Sequence, residues 1–216
     1  MNRRDEFVQR PRLALGVGIA LIALVALIGA VIPVTPLAID QRWSEWMTDL
    51  QAATLHHLAL IFNYLGRGLG RALSLAAIGL ALILTRRWVA LIAFAATESL
   101  TPLVSNLFKQ IVDRPRPPGA MLHATSSSFP SGHAAYAGAT CVALVLLFTS
   151  PGKGRRLWWA VGTAGVVGMA WSRTYLQLHW LSDVVAGSLL GVGISLAVFG
   201  GTQWWTANRR KRTLDP

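Results

Sequence analysis

The sequence predicts an all-α fold, a polytopic membrane protein of six transmembrane helices with a short outer interfacial helix. One observation behind this prediction is composition: the 216 residues are 53% hydrophobic and 13% charged, with a mean hydropathy of +0.48. Such a chain is too apolar for an ordinary soluble domain. The other is arrangement, because the apolar residues gather into nearly uncharged stretches close to the roughly 20 residues that cross a bilayer as a helix.

Six such stretches follow one another along the chain, and we interpret residues 1–216 as one transmembrane domain. The first, third and sixth are long enough by themselves, whereas the fourth and fifth rely on flanking arginines that reach the membrane surface. The second has only 14 residues, so it must extend back into Tyr64–Gly70 to cross. In order, the predicted spans are Leu13–Val34, Ala72–Thr85, Trp88–Phe108, Ala134–Thr149, Leu157–Ser172 and Val184–Gln203.

The distribution of Lys and Arg predicts that both termini lie in the cytoplasm. With that orientation, 13 of the 20 basic residues fall in cytoplasmic segments, as the positive-inside rule requires. These are Arg3, Arg4, Arg10, Arg12, Arg86, Arg87, Lys153, Arg155, Arg156, Arg209, Arg210, Lys211 and Arg212. The nine tryptophans support the same span count, because each lies at or beyond a predicted span end, where indole rings prefer the headgroup level.

A short helix is predicted on the outer side, between the first two spans. Asp40 can cap its start, and apolar residues then recur at helical spacing as Trp43, Trp46, Met47 and Leu50. The simpler interpretation is an interfacial helix that lies on the outer leaflet. The alternative is a wall or lid for lipid entry.

Composition also excludes other classes of function. A net charge of +11 raises the question of nucleic-acid binding, but the basic residues lie between apolar runs and not on one face of a soluble domain. Nucleic acid is therefore not an expected partner. The single cysteine, Cys141, provides neither a disulfide framework nor a cysteine metal site. His56 and His57 have no carboxylate nearby in sequence and are interpreted as interfacial.

Cations gather on the outer side in spite of the positive-inside rule, where the third and fifth spans end. Four of the seven outer basic residues are involved: Lys109, Arg114, Arg116 and Arg173. Lys and Arg side chains suit a phosphate, whose charge spreads over several oxygens during transfer. Ser131 and Gly132 open the fourth span on the same side, where backbone N–H groups and the helix dipole favour an anion. Together these segments predict one anion-binding pocket.

Two histidines supply a proton-transfer apparatus for that pocket. His179 and Asp183 are four residues apart at a helix start, so the carboxylate can accept a hydrogen bond from one ring nitrogen while the other faces the pocket. That arrangement activates a nucleophile. His133, on a different helix, is free to protonate the leaving oxygen and later to activate water. With no cysteine among these residues and few spare carboxylates, the pattern predicts a covalent mechanism that needs no metal or other cofactor.

Three motifs in this region are those of a known family. They read Lys109-Gln-Ile-Val-Asp-Arg-Pro-Arg-Pro117, Pro130-Ser-Gly-His133 and Ser172-Arg-Thr-Tyr-Leu-Gln-Leu-His-Trp-Leu-Ser-Asp183. With motif order and internal spacing intact over a core of residues 109–183, the sequence resembles the type 2 phosphatidic acid phosphatase (PAP2) superfamily. The resemblance implies a phosphatase in which His179 becomes phosphorylated, Asp183 orients it, and His133 is the general acid and then the base. It also implies a phosphate site made of Lys109, Arg116, Ser131, Gly132 and Arg173.

The resemblance further implies a membrane lipid phosphate as the substrate. Undecaprenyl diphosphate, phosphatidylglycerophosphate and phosphatidic acid are all open. We favour undecaprenyl diphosphate or a broad range of lipids, because the short chain and single compact outer loop resemble small bacterial members. The expected location is the bacterial inner (plasma) membrane, with the site on its outer face. Arg114 lies outside the defining motif positions and is interpreted as a contact to a lipid headgroup.

A transporter or flippase that binds a phosphate lipid without hydrolysis is the competing hypothesis. Glu98, about midway along the third span, favours it because an acid within a membrane is a functional candidate. The alternative role for Glu98 is a buried carboxyl bonded to a neighbouring helix. We prefer this structural role, because no second acid in a span forms a relay with it.

Overall fold

The computed structural model describes residues 7–150 and 152–214. Over these residues the chain is all-helical, with eight helices and no strand. They are α1 (Pro11–Val31), α2 (Ala38–Asp49), α3 (Ala53–Leu65), α4 (Gly68–Leu84), α5 (Trp88–Val112), α6 (Gly132–Phe148), α7 (Lys153–Tyr175) and α8 (Leu181–Leu214). The predicted basic anchors Arg3 and Arg4, and the side chains of Lys153, Arg210, Lys211 and Arg212, lie outside the described part.

Length and apolarity account for three or four membrane spans among the described helices. α1, α5 and the Leu181–Arg209 part of α8 each satisfy both requirements, and α3 with α4 would add a fourth as a bent pair. α6 is apolar, but its 17 residues reach only about 26 Å at 1.5 Å per residue. α7 has 23 residues, and its first turns carry Arg155 and Arg156.

The second predicted span differs from the expectation, because it is broken and not one straight helix. α3 ends at Leu65 and α4 begins at Gly68, with an angle of 55° between them. Gly68 has a φ of +56°, in the left-handed region that favours glycine. At Gly66 a Cβ would lie 2.5 Å from Cδ2 of His133, so the turn contacts that ring through bare backbone.

The helix predicted after the first span is present as α2, but it begins before Asp40. Leu37 is the N-cap residue, and the Asp40 carboxylate accepts a hydrogen bond from the Leu37 N–H at 3.2 Å. Met47 is buried, whereas Trp46 is 52% exposed. α2 is tied to the segment after α7, because Ser44 donates a hydrogen bond to the Gln177 side chain at 2.6 Å.

Close packing of α6 against α8 brings the starts of these two helices together. A Cβ on Gly191 would lie 1.9 Å from the Ala135 carbonyl oxygen, and one on Gly187 would lie 2.3 Å from that of Ser131. No real Cβ fits at such distances from backbone, so the two helices can approach this closely only through glycine. His133 and Asp183 therefore lie at the same end of the helix bundle.

We expect Gly191→Ala to destabilise the protein, because the new methyl group must push α6 and α8 apart, at a cost of about 1–3 kcal/mol. Thermal unfolding in detergent micelles should give a lower Tm. Gly16→Ala is the matched control, because a Cβ at that helical position meets nothing within 4 Å. Equal Tm values for the two variants would contradict the close contact.

Candidate active site

A cavity of about 490 Å³ opens where α4, α5, α6 and the segment before α8 meet. Five of the site residues predicted from sequence line it: Lys109, Arg116, Gly132, His133 and His179. Residues that the sequence did not single out for the site also line it, among them Arg67, Arg71, Ser105, Asn106, His123 and Tyr136. The predicted residues Ser131, Arg173 and Asp183 are fully buried behind this lining.

His179 lies in the short segment between α7 and α8, with its ring held at both nitrogens. Nδ1 is 2.8 Å from the Ser128 carbonyl oxygen, and Nε2 is 3.3 Å from a guanidinium nitrogen of Arg116. A carbonyl oxygen can only accept and a guanidinium can only donate, so the ring proton belongs on Nδ1 and the lone pair on Nε2. Burial lowers the pKa of His179 to about 4, so the ring is uncharged at neutral pH.

Asp183 lies beside His179 but does not form the hydrogen bond expected from sequence. Its Oδ2 is 3.7 Å from Nδ1 of His179, beyond hydrogen-bond distance. The same oxygen accepts the Trp180 N–H at 2.9 Å, and Oδ1 lies 2.6 Å from Arg114. The Ser128 carbonyl thus orients the ring, while Asp183 contributes a negative charge next to it.

Arg114 is buried between two carboxylates, so its interpretation as a contact to a lipid headgroup is wrong. Its side chain is 0% exposed, and its two terminal nitrogens lie 2.7 Å from Asp40 and 2.6 Å from Asp183. Ser182 completes the network, because its N–H and its hydroxyl each donate to Asp40 at 2.8 Å. One cation therefore connects α2 with the first turn of α8.

The motif cations are positioned mainly by backbone carbonyls. Lys109 donates to the Ser127 carbonyl at 2.5 Å, and Arg116 donates to those of Ser126 at 2.9 Å and Leu178 at 2.6 Å. Carbonyls fix a side chain without neutralising it, so both residues keep their positive charge for an anion in the cavity.

Arg173 is held from beneath the cavity. Its Nη1 donates to Asn63 at 2.9 Å and its Nε to Ser172 at 3.1 Å. Its Nη2 is buried and has no partner among the described residues. A buried donor without a partner is costly, so this nitrogen is suited to a ligand oxygen.

The start of α6 offers fewer donors than the sequence predicted. Ser131 is the N-cap residue, but its backbone N–H already donates to the Asp183 carbonyl at 3.0 Å. Gly132 is the first residue of the helix, where an N–H has no acceptor within the helix. The Ser131 hydroxyl and His133 Nε2 are buried and lack partners among the described residues. Gly132 N–H and these two side chains are therefore the groups available at this helix end.

Glu98 has the structural role that we preferred from the sequence. Thr140 on α6 donates a hydrogen bond to it at 2.9 Å, and Arg71 on α4 lies 4.0 Å away. The carboxyl thus joins three helices below the cavity. The described contacts of Glu98 provide no support for the transporter hypothesis.

The family model of the PAP2 superfamily matches residues 87–207. An undecaprenyl-diphosphatase of Sulfolobus acidocaldarius is 42% identical over 71 residues, 33% of this chain and 32% of the relative. Phosphatidylglycerophosphatase B of Bacillus subtilis is 31% identical over 103 residues, 45% of this chain and 51% of the relative. The chain therefore spans only about a third to a half of the length of these relatives.

Two solved structures share the fold. A transmembrane PAP2-type phosphatidylglycerolphosphate phosphatase from Bacillus subtilis superposes with a TM-score of 0.66 at 22% identity, covering 91% of this chain and 97% of that one. LpxE from Aquifex aeolicus gives a TM-score of 0.63 at 19% identity, covering 75% and 95%. At these identities the likeness extends to the helical architecture only.

We expect Asp40→Asn to lower stability, because it removes one of the two charges that compensate buried Arg114; breaking such a pair costs on the order of 3 kcal/mol. Thermal unfolding in detergent should give a Tm several degrees lower. Asp49→Asn, at the exposed end of the same helix, is the control and should leave the Tm unchanged. An unchanged Tm for Asp40→Asn would mean that the ion pair contributes nothing to folding.

Proposed function

Because this chain belongs to the PAP2 superfamily, we propose that it is a membrane lipid phosphatase that acts through a phosphohistidine on His179. The observation that carries the proposal is the protonation pattern of this ring. Its Nδ1 faces the Ser128 carbonyl, which leaves the Nε2 lone pair directed at a cavity that also contains Lys109 and His133.

Substrate binding begins with the cations. The phosphate oxygens accept hydrogen bonds from Lys109, Arg116 and the buried Nη2 of Arg173. The Gly132 N–H at the start of α6 is a further donor. Arg116 now donates to Nε2 of His179 at 3.3 Å, so transfer of that donor to a phosphate oxygen releases the lone pair for attack. Binding of the phosphate thus neutralises its charge and frees the attacking nitrogen of His179 in one event.

The reaction proceeds in two steps. Nε2 of His179 attacks phosphorus and the P–O bond to the lipid breaks. His133, which takes up a proton when the anionic phosphate binds beside it, gives that proton to the leaving oxygen. The imidazole ring of His179 becomes positively charged when it is phosphorylated. The Ser128 carbonyl and Asp183, whose Oδ2 is 3.7 Å from Nδ1 of His179, stabilise that charge. His133 then removes a proton from water, the hydroxide attacks the phosphohistidine, and inorganic phosphate leaves with His179 restored.

The proposed substrate is a membrane lipid that carries a phosphate or pyrophosphate group. Undecaprenyl diphosphate, phosphatidylglycerophosphate and phosphatidic acid all provide a terminal phosphate for the chemistry of His179. The names of the Sulfolobus and Bacillus relatives support the first two.

We propose one domain of six spans, in which α3 and α4 together form the second and α6 and α7 are the fourth and fifth. The convergence of helix ends supports this: the end of α5, the start of α6, the end of α7 and the start of α8 all meet at the cavity. Most α6 side chains are buried by neighbouring helices, so a helix of about 26 Å needs little contact with lipid. Arg86, Arg87 and Arg155 lie at the opposite end of the bundle, which supports cytoplasmic termini and an outer active site.

We expect His179→Ala to reduce phosphate release from lipid substrates on the order of 10³-fold or more, because the nucleophile is lost. The assay uses purified protein in detergent micelles with excess chelator, which should leave the wild type fully active. Labelled substrate should give an acid-labile, alkali-stable phosphoprotein in wild type only. His57→Ala, an exposed histidine away from the cavity, is the control. Full activity of His179→Ala would remove the nucleophile assignment.

We expect a reporter fused after Pro117 to be active only outside the cytoplasm, because that residue lies in the loop beside the cavity. A second fusion after Thr85, in the turn between α4 and α5, should report the cytoplasm and serves as the control. Alkaline phosphatase and a fluorescent protein, read in parallel, give opposite signals for the two sides. A cytoplasmic signal after Pro117 would overturn the orientation.

A further inference from the structure

We propose that Arg67 and Arg71 form a second anion subsite next to His133, which binds the phosphate that remains on the lipid when the substrate is a diphosphate. The subsite rests on the proposed phosphatase function and deepens it by naming a substrate class, a lipid diphosphate. Neither arginine belongs to the three motifs, and both precede residues 87–207, which match the family model.

The two arginines lie on the His133 side of the cavity. Both line it, together with His133 and Tyr136. The turn that precedes Arg67 packs against the His133 ring, because a Cβ on Gly66 would be 2.5 Å from its Cδ2. The Arg71 guanidinium lies over the ring of Tyr136, 4.6 Å from its centroid, and Tyr136 follows His133 by one turn of α6.

Two of the three motif cations, Lys109 and Arg116, lie on the other side, next to the proposed nucleophile. Arg116 is 3.3 Å from Nε2 of His179, and Lys109 is anchored to the loop that carries Ser128, the residue that orients the same ring. The lining of the cavity therefore has two groups of cations, one beside His179 and one beside His133, while Arg173 is buried behind the lining.

The reaction assigns different parts of the substrate to these two groups. The phosphorus under attack must lie beside His179, and the leaving oxygen must lie beside His133, its proton donor. Whatever the leaving oxygen is attached to then lies beside Arg67 and Arg71. A diacylglycerol leaving group is neutral there, whereas a lipid monophosphate leaving group carries charge that two guanidinium groups can bind.

The positive charge at this subsite also assists bond cleavage. When the P–O bond of a diphosphate breaks, negative charge develops on the bridging oxygen, which stays with the lipid phosphate. Arginines at that position stabilise the developing charge before and during protonation by His133. Binding and catalysis are therefore both favoured for a diphosphate over a monophosphate.

A purely structural role explains only one of the two arginines. Arg71 is 4.0 Å from Glu98 and partly balances that carboxyl. Arg67 is exposed at the cavity, and its side chain makes no hydrogen bond or ion pair with the part of the chain that the structure describes. A charged side chain held at the lining without a counter-ion is suited to an anionic ligand.

The test compares farnesyl diphosphate with farnesyl monophosphate, which share one tail, as substrates of the purified full-length protein in detergent micelles. We expect Arg67→Gln to reduce kcat/KM for the diphosphate at least tenfold and for the monophosphate less than twofold. Arg42→Gln, an exposed arginine of α2 that does not line the cavity, is the matched control and should change neither. The double variant Arg71→Gln/Glu98→Gln removes the second arginine without leaving its carboxylate unbalanced, and it should show the same selective loss.

Inorganic pyrophosphate separates the diphosphate group from the lipid tail. It should inhibit the wild type more strongly than orthophosphate does, and Arg67→Gln should abolish that difference. Hydrolysis of pyrophosphate at the rate of farnesyl diphosphate would overturn a lipid substrate for this subsite.

Equal losses for the two farnesyl substrates, or no loss for either, would overturn the second subsite while leaving the phosphatase proposal intact. Failure of the wild type to release phosphate from any lipid substrate would instead overturn the phosphatase proposal itself.

Discussion

The candidate active site depends on one buried ion-pair network, in which Arg114 lies between Asp40 and Asp183. A carboxylate in such surroundings needs a partner, because burying an unpaired charge costs several kcal/mol. With its partner, Asp183 is fixed at the start of α8 and can also accept the Trp180 N–H. The three groups together carry one net negative charge, which offsets part of the positive charge of Lys109 and Arg116 nearby.

The orientation of His179, the proposed nucleophile, is set in the same region. Asp183 Oδ2 is 3.7 Å from Nδ1 of His179, and the ring proton is directed at the Ser128 carbonyl, 2.8 Å away. The loop that supplies this carbonyl is itself held by Lys109 and Arg116, two residues proposed to bind the phosphate. The proposed phosphate binding and the orientation of the His179 ring thus depend on the same loop, so a change in the loop that carries Ser128 affects both.

The motifs made much of the site predictable, because His133, His179 and their neighbouring cations lie in short segments with characteristic spacing. The features that the sequence did not predict are contacts between residues far apart in the chain and hydrogen bonds to backbone atoms. Asp40 and Arg114 are 74 positions apart, and each has a plausible local role by itself. The acceptor for His179 is a carbonyl oxygen, which no side-chain pattern reveals. The helix break falls within Tyr64–Gly70, the stretch into which the second span was expected to extend, and no spacing of apolar residues there marks where one helix ends and the next begins.

The helix break between α3 and α4 carries part of the proposed diphosphate subsite, outside the segment that matches the family model. The residues proposed for bond cleavage all lie within residues 87–207, whereas the turn that carries Arg67 lies before them. Two relatives aligned only over the motif core can therefore share a reaction and still accept different headgroups. In evolutionary terms, the proposed subsite would let substitutions in one turn change the preferred lipid without altering any motif residue, so a substrate name is not transferred on the motifs alone.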